Sequence, residues 1–172
     1  KVFKKELLEQ CLYPVTPKVK IGEDAAFTYP CLLAAESLAY VDGCLYHYRN
    51  NAQSMTAAFD PHLTETIFIP LDILRTYFDT DKRALFAQYQ MYAVYLLQLW
   101  VRNQASLDCD LDRKRMRQSC ARVCQNQELR ALLASVPGAL PRQVAVAVRA
   151  VQQQKPGQLY LLIKAWNLYY KL

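Results

Sequence analysis

Two adjacent carboxylates, Glu23 and Asp24, follow Gly22 and open the apolar stretch AAFTYPCLLAA at 25–35. Two chemistries fit that position. Acids at a helix start accept hydrogen bonds from free backbone N–H groups and face the positive end of the helix dipole. A carboxylate held on such a rigid element can also take the proton of a substrate hydroxyl, since an alcohol is a poor nucleophile at neutral pH unless a base removes its proton as the new bond forms. Gly22 beside them would let a substrate approach the backbone closely. The remaining reactive residues are less telling. Six cysteines stand at 11, 31, 44, 109, 120 and 124, with no C-x-x-C spacing, and the two histidines complete no zinc pattern. They read as buried, reduced thiols of a cytosolic protein. Two D-x-D strings, Asp79-Thr80-Asp81 and Asp108-Cys109-Asp110-Leu111-Asp112, follow no apolar strand and read as helix-start acids. The second also fails as a calcium loop, because Arg113 stands where glycine is needed and Ser119 where glutamate is needed. No metal site is expected within the chain.

The elements that would position these groups follow from apolar spacing. Lys4 to Leu12 predicts a short helix, ended by Pro14 and Pro17. A second helix starts at Glu23 or Asp24, with Phe27, Cys31, Leu32 and Ala35 at helical spacing and Pro30 inside the pattern, which should kink it or shift its start. Leu38 to Asp42 and Cys44 to Arg49 predict two short strands around the Asp42-Gly43 turn. Two strands do not make an independent sheet, so they should complete one whose other strands lie elsewhere. From Pro61 on, the chain predicts helices only: 61–78 kinked at Pro70, 82–104 apolar nearly all round, 111–124 basic on one side, 127–136, 141–154 and 158–172. The expected fold class is mainly α with a small β element, divided into residues 1–58 and 59–172.

Charge divides at the same place. Residues 1–58 hold six Lys/Arg and six Asp/Glu, whereas 59–172 hold fifteen and nine, which is the whole net charge of +6. The second region should face something anionic.

The order of motifs in the first region resembles the bacterial family-2 glycosyltransferases of the GT-A fold. The matching pieces are Lys4 to Leu8, Gly22-Glu23-Asp24 with Phe27, Tyr40-Val41-Asp42, and Leu45-Tyr46-His47-Tyr48-Arg49 through Ser54, about residues 1–56. The resemblance implies inverting transfer of a sugar from a nucleotide-sugar donor to a hydroxyl on a glycan or lipid-linked acceptor, in bacterial surface polysaccharide synthesis. It implies Asp24 as general base and Glu23 as a supporting residue that orients the acceptor or a loop. It implies that Arg49, Ser54 and His47 lie against the donor diphosphate, where a guanidinium would stabilise charge on the leaving group. The family's nucleotide-binding half, with the D-x-D that holds Mg²⁺ or Mn²⁺, precedes the Glu-Asp pair. Only 22 residues precede Glu23 here. The chain is therefore expected to be the C-terminal remnant of a GT-A domain followed by a helical bundle, binding no metal and inactive alone.

The tail leaves two readings open. Arg113 to Arg117 with Arg122 is either a solvated basic face or a surface for anionic lipid or an acceptor phosphate. The last stretch, QLYLLIKAWNLYYKL, suits an interfacial helix and equally a terminal helix docked on the bundle. The competing function is a non-catalytic helical module that binds an anionic surface through 111–122. No nucleic-acid module is recognisable. No run reaches the roughly 20 apolar residues of a membrane span. The expected location is cytoplasmic, with peripheral contact at the inner membrane face, and the sheet edge at 38–48 would let copies pair.

Overall fold

The computed structural model describes residues 2–11, 19, 21–44, 46, 47, 58–78 and 83–170. Among these residues the regular structure is entirely helical, in nine segments. They are α1 (Lys5–Cys11), α2 (Glu23–Ala34), α3 (Leu63–Thr66), α4 (Ile69–Leu74), α5 (Arg83–Gln104), α6 (Arg113–Gln125), α7 (Gln127–Leu133), α8 (Arg142–Gln152) and α9 (Pro156–Tyr170).

α5 is the axle of the molecule. Tyr89, Ala93, Leu96, Leu97, Trp100 and Val101 are buried, while Gln88, Met91, Tyr95 and Arg102 leave a narrow exposed line. A helix this apolar can be stable only with neighbours on most sides, and polar side chains fix where they sit. Trp100 Nε1 donates to Thr64 Oγ1 of α3 at 3.0 Å. The Tyr89 hydroxyl donates to the Leu71 carbonyl of α4 at 2.5 Å. Buried Gln90 donates to the Leu132 carbonyl of α7 at 3.0 Å. Each satisfies a group that would otherwise be costly to bury. At the far end, Asn167 of α9 donates to the carbonyls of Ala105 and Ser106 at 3.2 and 3.1 Å, where the chain leaves α5. α6 and α8 both lie along α9, and Cys120, Val123, Cys124, Ala147, Val151, Leu159 and Ile163 fill the space between them.

Several boundaries depart from the sequence reading. The helix expected over 61–78 is two, α3 and α4, interrupted at Ile67 and Phe68. Pro70 lies in the first turn of α4, where its missing N–H costs nothing, so it starts a helix rather than kinking one. Pro30, by contrast, lies buried inside α2, which runs through it. The strand expected at Leu38 to Asp42 is not formed, and among the described residues there is no strand for it to pair with. Leu38, Tyr40 and Val41 are 75%, 88% and 66% exposed, so neither face of the segment is covered. A strand has no reason to form where neither its hydrogen bonds nor its side chains find a partner. Residues 45, 48 and 49 of the second expected strand lie outside the described residues; Cys44, Tyr46 and His47 are exposed and without regular structure. The sheet edge on which copies were expected to pair is thus not built among the described residues. No helix among them is long and apolar enough to cross a membrane.

Candidate functional site

The Glu-Asp pair begins α2 as expected. Gly22 is the N-cap residue, with φ 86° and ψ 13°, a left-handed conformation that an L side chain rarely adopts. A second reason also demands glycine there. A Cβ on residue 22 would overlap the hydroxyl of Tyr92 and crowd the ring of Pro70. The start of α2 is therefore pressed onto α4 and α5 with no room for a side chain. Tyr92 itself is buried, and among the described residues its hydroxyl has no hydrogen-bond partner.

Glu23 and Asp24 occupy the first turn and both are exposed. Asp24 Oδ1 accepts the N–H of Ala25 at 2.7 Å, one of the unsatisfied donors of the helix start. The capping role is thus real, but it engages one oxygen and leaves the carboxylate in solvent. Its position relative to α5 is marked by Tyr92. Burial pushes that phenol up, and the next influences in order are the Asp24 carboxylate, Tyr29, Tyr95 and the Glu23 carboxylate. Tyr29 packs edge-on against Tyr92 at 5.8 Å, and Tyr92 stacks with half-exposed Tyr95 at 6.3 Å. Tyr29, Tyr92 and Tyr95 thus form an aromatic cluster, and the Asp24 and Glu23 carboxylates act on its central phenol.

The other side of α2 is fastened to α1. Phe3 meets Phe27 edge-on at 6.1 Å, and Cys11 and Cys31 are both buried. Burial pushes the Cys31 thiol up, and Cys11 beside it pushes the same way, so this thiol is a packing group rather than a nucleophile.

Of the other residues tied to the donor diphosphate, Arg49 and Ser54 lie outside the described residues. His47 is exposed, and among the described residues nothing joins it to Asp24. Of the two D-x-D strings, 79–81 lies outside the described residues. Asp112, the last acid of the second string, is the N-cap of α6, as a helix-start acid should be, and accepts the N–H of Arg115 at 2.8 Å. That bond holds its carboxyl below the usual carboxylate range. Among the described residues no three His, Cys, Asp or Glu side chains come together as a metal-binding group. The divalent metal implied by the resemblance has no ligand set there.

Sequence reasoning misses this tyrosine cluster: Tyr92 and Tyr95 lie three residues apart on α5, but Tyr29 is remote along the chain, and only the fold shows that it meets Tyr92 and that Tyr92 meets Gly22. Comparison with protein-family models, with curated proteins and with solved structures finds no match to this chain.

Proposed function

We propose that the chain is the C-terminal part of an inverting glycosyltransferase that moves a sugar from a nucleotide-sugar donor to a hydroxyl acceptor. Asp24 is the general base. The acceptor oxygen attacks the anomeric carbon, and its proton passes to the Asp24 carboxylate. The bond from that carbon to the diphosphate breaks with its electron pair on the departing oxygen, so configuration inverts. Glu23 orients the acceptor or a loop, and Arg49, Ser54 and His47 face the diphosphate. The observation that carries this reading is the exposed Asp24 carboxylate on a helix start that packs against Tyr92 and Pro70 with no room for a side chain at Gly22. Aromatic faces beside carboxylates suit a sugar, whose C–H faces pack on rings while its hydroxyls hydrogen-bond to acids.

The open segment after α2 supports the same reading. Leu38, Tyr40, Val41 and Tyr46 are apolar and exposed. Residues of this kind in series are ordinarily covered. The nucleotide-binding half that the resemblance implies would supply the sheet to cover them. The test is acceptor-dependent release of nucleoside diphosphate by the whole protein across a panel of nucleotide-sugars, with product configuration read by NMR. Inverted product is expected; retained configuration contradicts the reading, as does the absence of transfer with every donor.

A second reading has its own support. A non-catalytic helical module that binds an anionic surface through 111–122 is favoured by the basic hollow on α6 that Arg113, Lys114 and Arg117 line. It predicts no transfer by the whole protein.

A further inference from the structure

α6 and α9 together carry a surface that the catalytic reading does not use. On α6, Arg113, Lys114, Arg117, Gln118 and Ala121 line a shallow hollow of about 460 Å³. The Arg117 guanidinium lies 5.3 Å from the centre of the Tyr160 ring of α9, and the Lys164 ammonium 6.0 Å from the same ring. The ring bridges two cations that would otherwise repel. Nearby acids offset only part of this charge: the Lys114 cation is among the groups that hold the Asp112 carboxyl low. Asp112 pairs with Arg115 at 3.8 Å, and Arg122 is paired with Glu65 at 2.7 Å. Among the described residues Arg113, Lys114, Arg117 and Lys164 have no ion pair. Asp110 is the one acid that acts together with Lys164 on a common neighbour, the Cys109 thiol.

The outer face of α9 continues this surface in apolar form. Leu161, Ala165 and Leu168 recur at i, i+4 and i+7, and Tyr169 flanks them. Leu161, Leu168 and Tyr169 are 65%, 63% and 75% exposed, while Leu159 and Ile163 on the opposite face are buried. Lys164 stands between the two parts, next to the stripe and over the Tyr160 ring. α9 thus buries one face in the bundle and leaves a second apolar face open.

We propose that the α6–α9 surface docks on an anionic lipid bilayer, with Leu161, Leu168 and Tyr169 entering the headgroup region and Arg113, Lys114, Arg117 and Lys164 meeting lipid phosphates. Charge complementarity selects the occupant, since a row of unpaired cations beside an apolar stripe matches phosphates above acyl chains. A convex helix face with a shallow hollow at its side also suits a broad, flat partner. The inference stands whether or not Asp24 is a base.

The test is co-sedimentation of the chain with vesicles of phosphatidylcholine alone and with an equal mixture of phosphatidylcholine and phosphatidylglycerol, at low and high salt. Binding to the mixed vesicles is expected, weakened by salt. The triple variant Arg113→Gln, Lys114→Gln, Arg117→Gln should bind about a hundredfold more weakly. The double variant Leu161→Ser, Leu168→Ser should lose about tenfold or more. All five positions are exposed, so thermal melts should match the parent chain and exclude unfolding as the cause. Equal binding to both vesicle types overturns the proposal, as does binding to neither or variants that bind like the parent. Two other results also overturn it: polyphosphate bound equally by the parent and the leucine variant, assigning the cations to a soluble polyanion, or a dimer lost in the leucine variant, assigning the stripe to self-association.

Discussion

Gly22 holds the turn on which the placement of Asp24 depends. An L residue there meets two penalties, the left-handed φ and the overlap with Tyr92. Gly22→Ala should therefore lower unfolding free energy by about 2 kcal/mol, measured by urea titration. Tyr92→Phe should do the opposite. Its hydroxyl has no partner among the described residues, so removing it should be neutral or stabilise by up to about 1 kcal/mol. The double variant should recover part of the Gly22→Ala loss, because the overlapping atom is gone. Asp112 gives a pH-dependent counterpart. Its carboxyl is held low by the Arg115 N–H, so its contribution is present above the unfolded value of about 3.9 and is lost as pH falls through the folded one. The gap in melting temperature between the parent chain and Asp112→Ala should be widest near neutral pH and close in acid. At this scale the sequence revealed the carboxylates and the glycine before them. It did not reveal Tyr92, which is remote along the chain and reaches Gly22 only through packing.

Helices were legible where period and caps agreed. α6 is capped by Asp112 and α7 by Asn126, whose side chain accepts the Leu129 N–H at 2.9 Å. Asn126 also terminates α6, so it separates two helices with a single residue. Asn126→Ala should cost about 1 kcal/mol, and hydrogen exchange should quicken first at the start of α7. The reading over 61–78 missed the interruption because apolar spacing continues through it, while Pro70 cannot donate to the preceding turn. The strand at 38–42 was overpredicted for a different reason. Alternation describes a face, but a strand forms only when that face and its backbone groups have somewhere to go. Nothing among the described residues offers that. The same composition that suggested a strand is what leaves Tyr40 and Val41 open in this chain.

At the scale of the molecule, one core joins the start of the chain to its end. Ile21, Ala25, Tyr29 and Leu33 of the α2 region pack against the same cluster that holds Trp100, Leu129 and Leu159. Trp100→Ala should remove about 3–5 kcal/mol and strand Thr64, and thermal unfolding should show it as one shifted transition. The uneven charge seen in the sequence reappears as geography, with an exposed carboxylate pair at the start of α2 and unpaired cations along α6 and α9. The proposed base and the proposed docking surface thus lie on different elements, α2 for the first and α6 with α9 for the second. The role of Asp24 decides whether that division holds. Turnover of Asp24→Asn in the whole protein, with donor binding followed in parallel, is the most direct measurement. Loss of transfer by about 10²–10⁴-fold with donor affinity kept is the expected result. Unchanged turnover would remove Asp24 from the chemistry and leave α2 with a cap and nothing more.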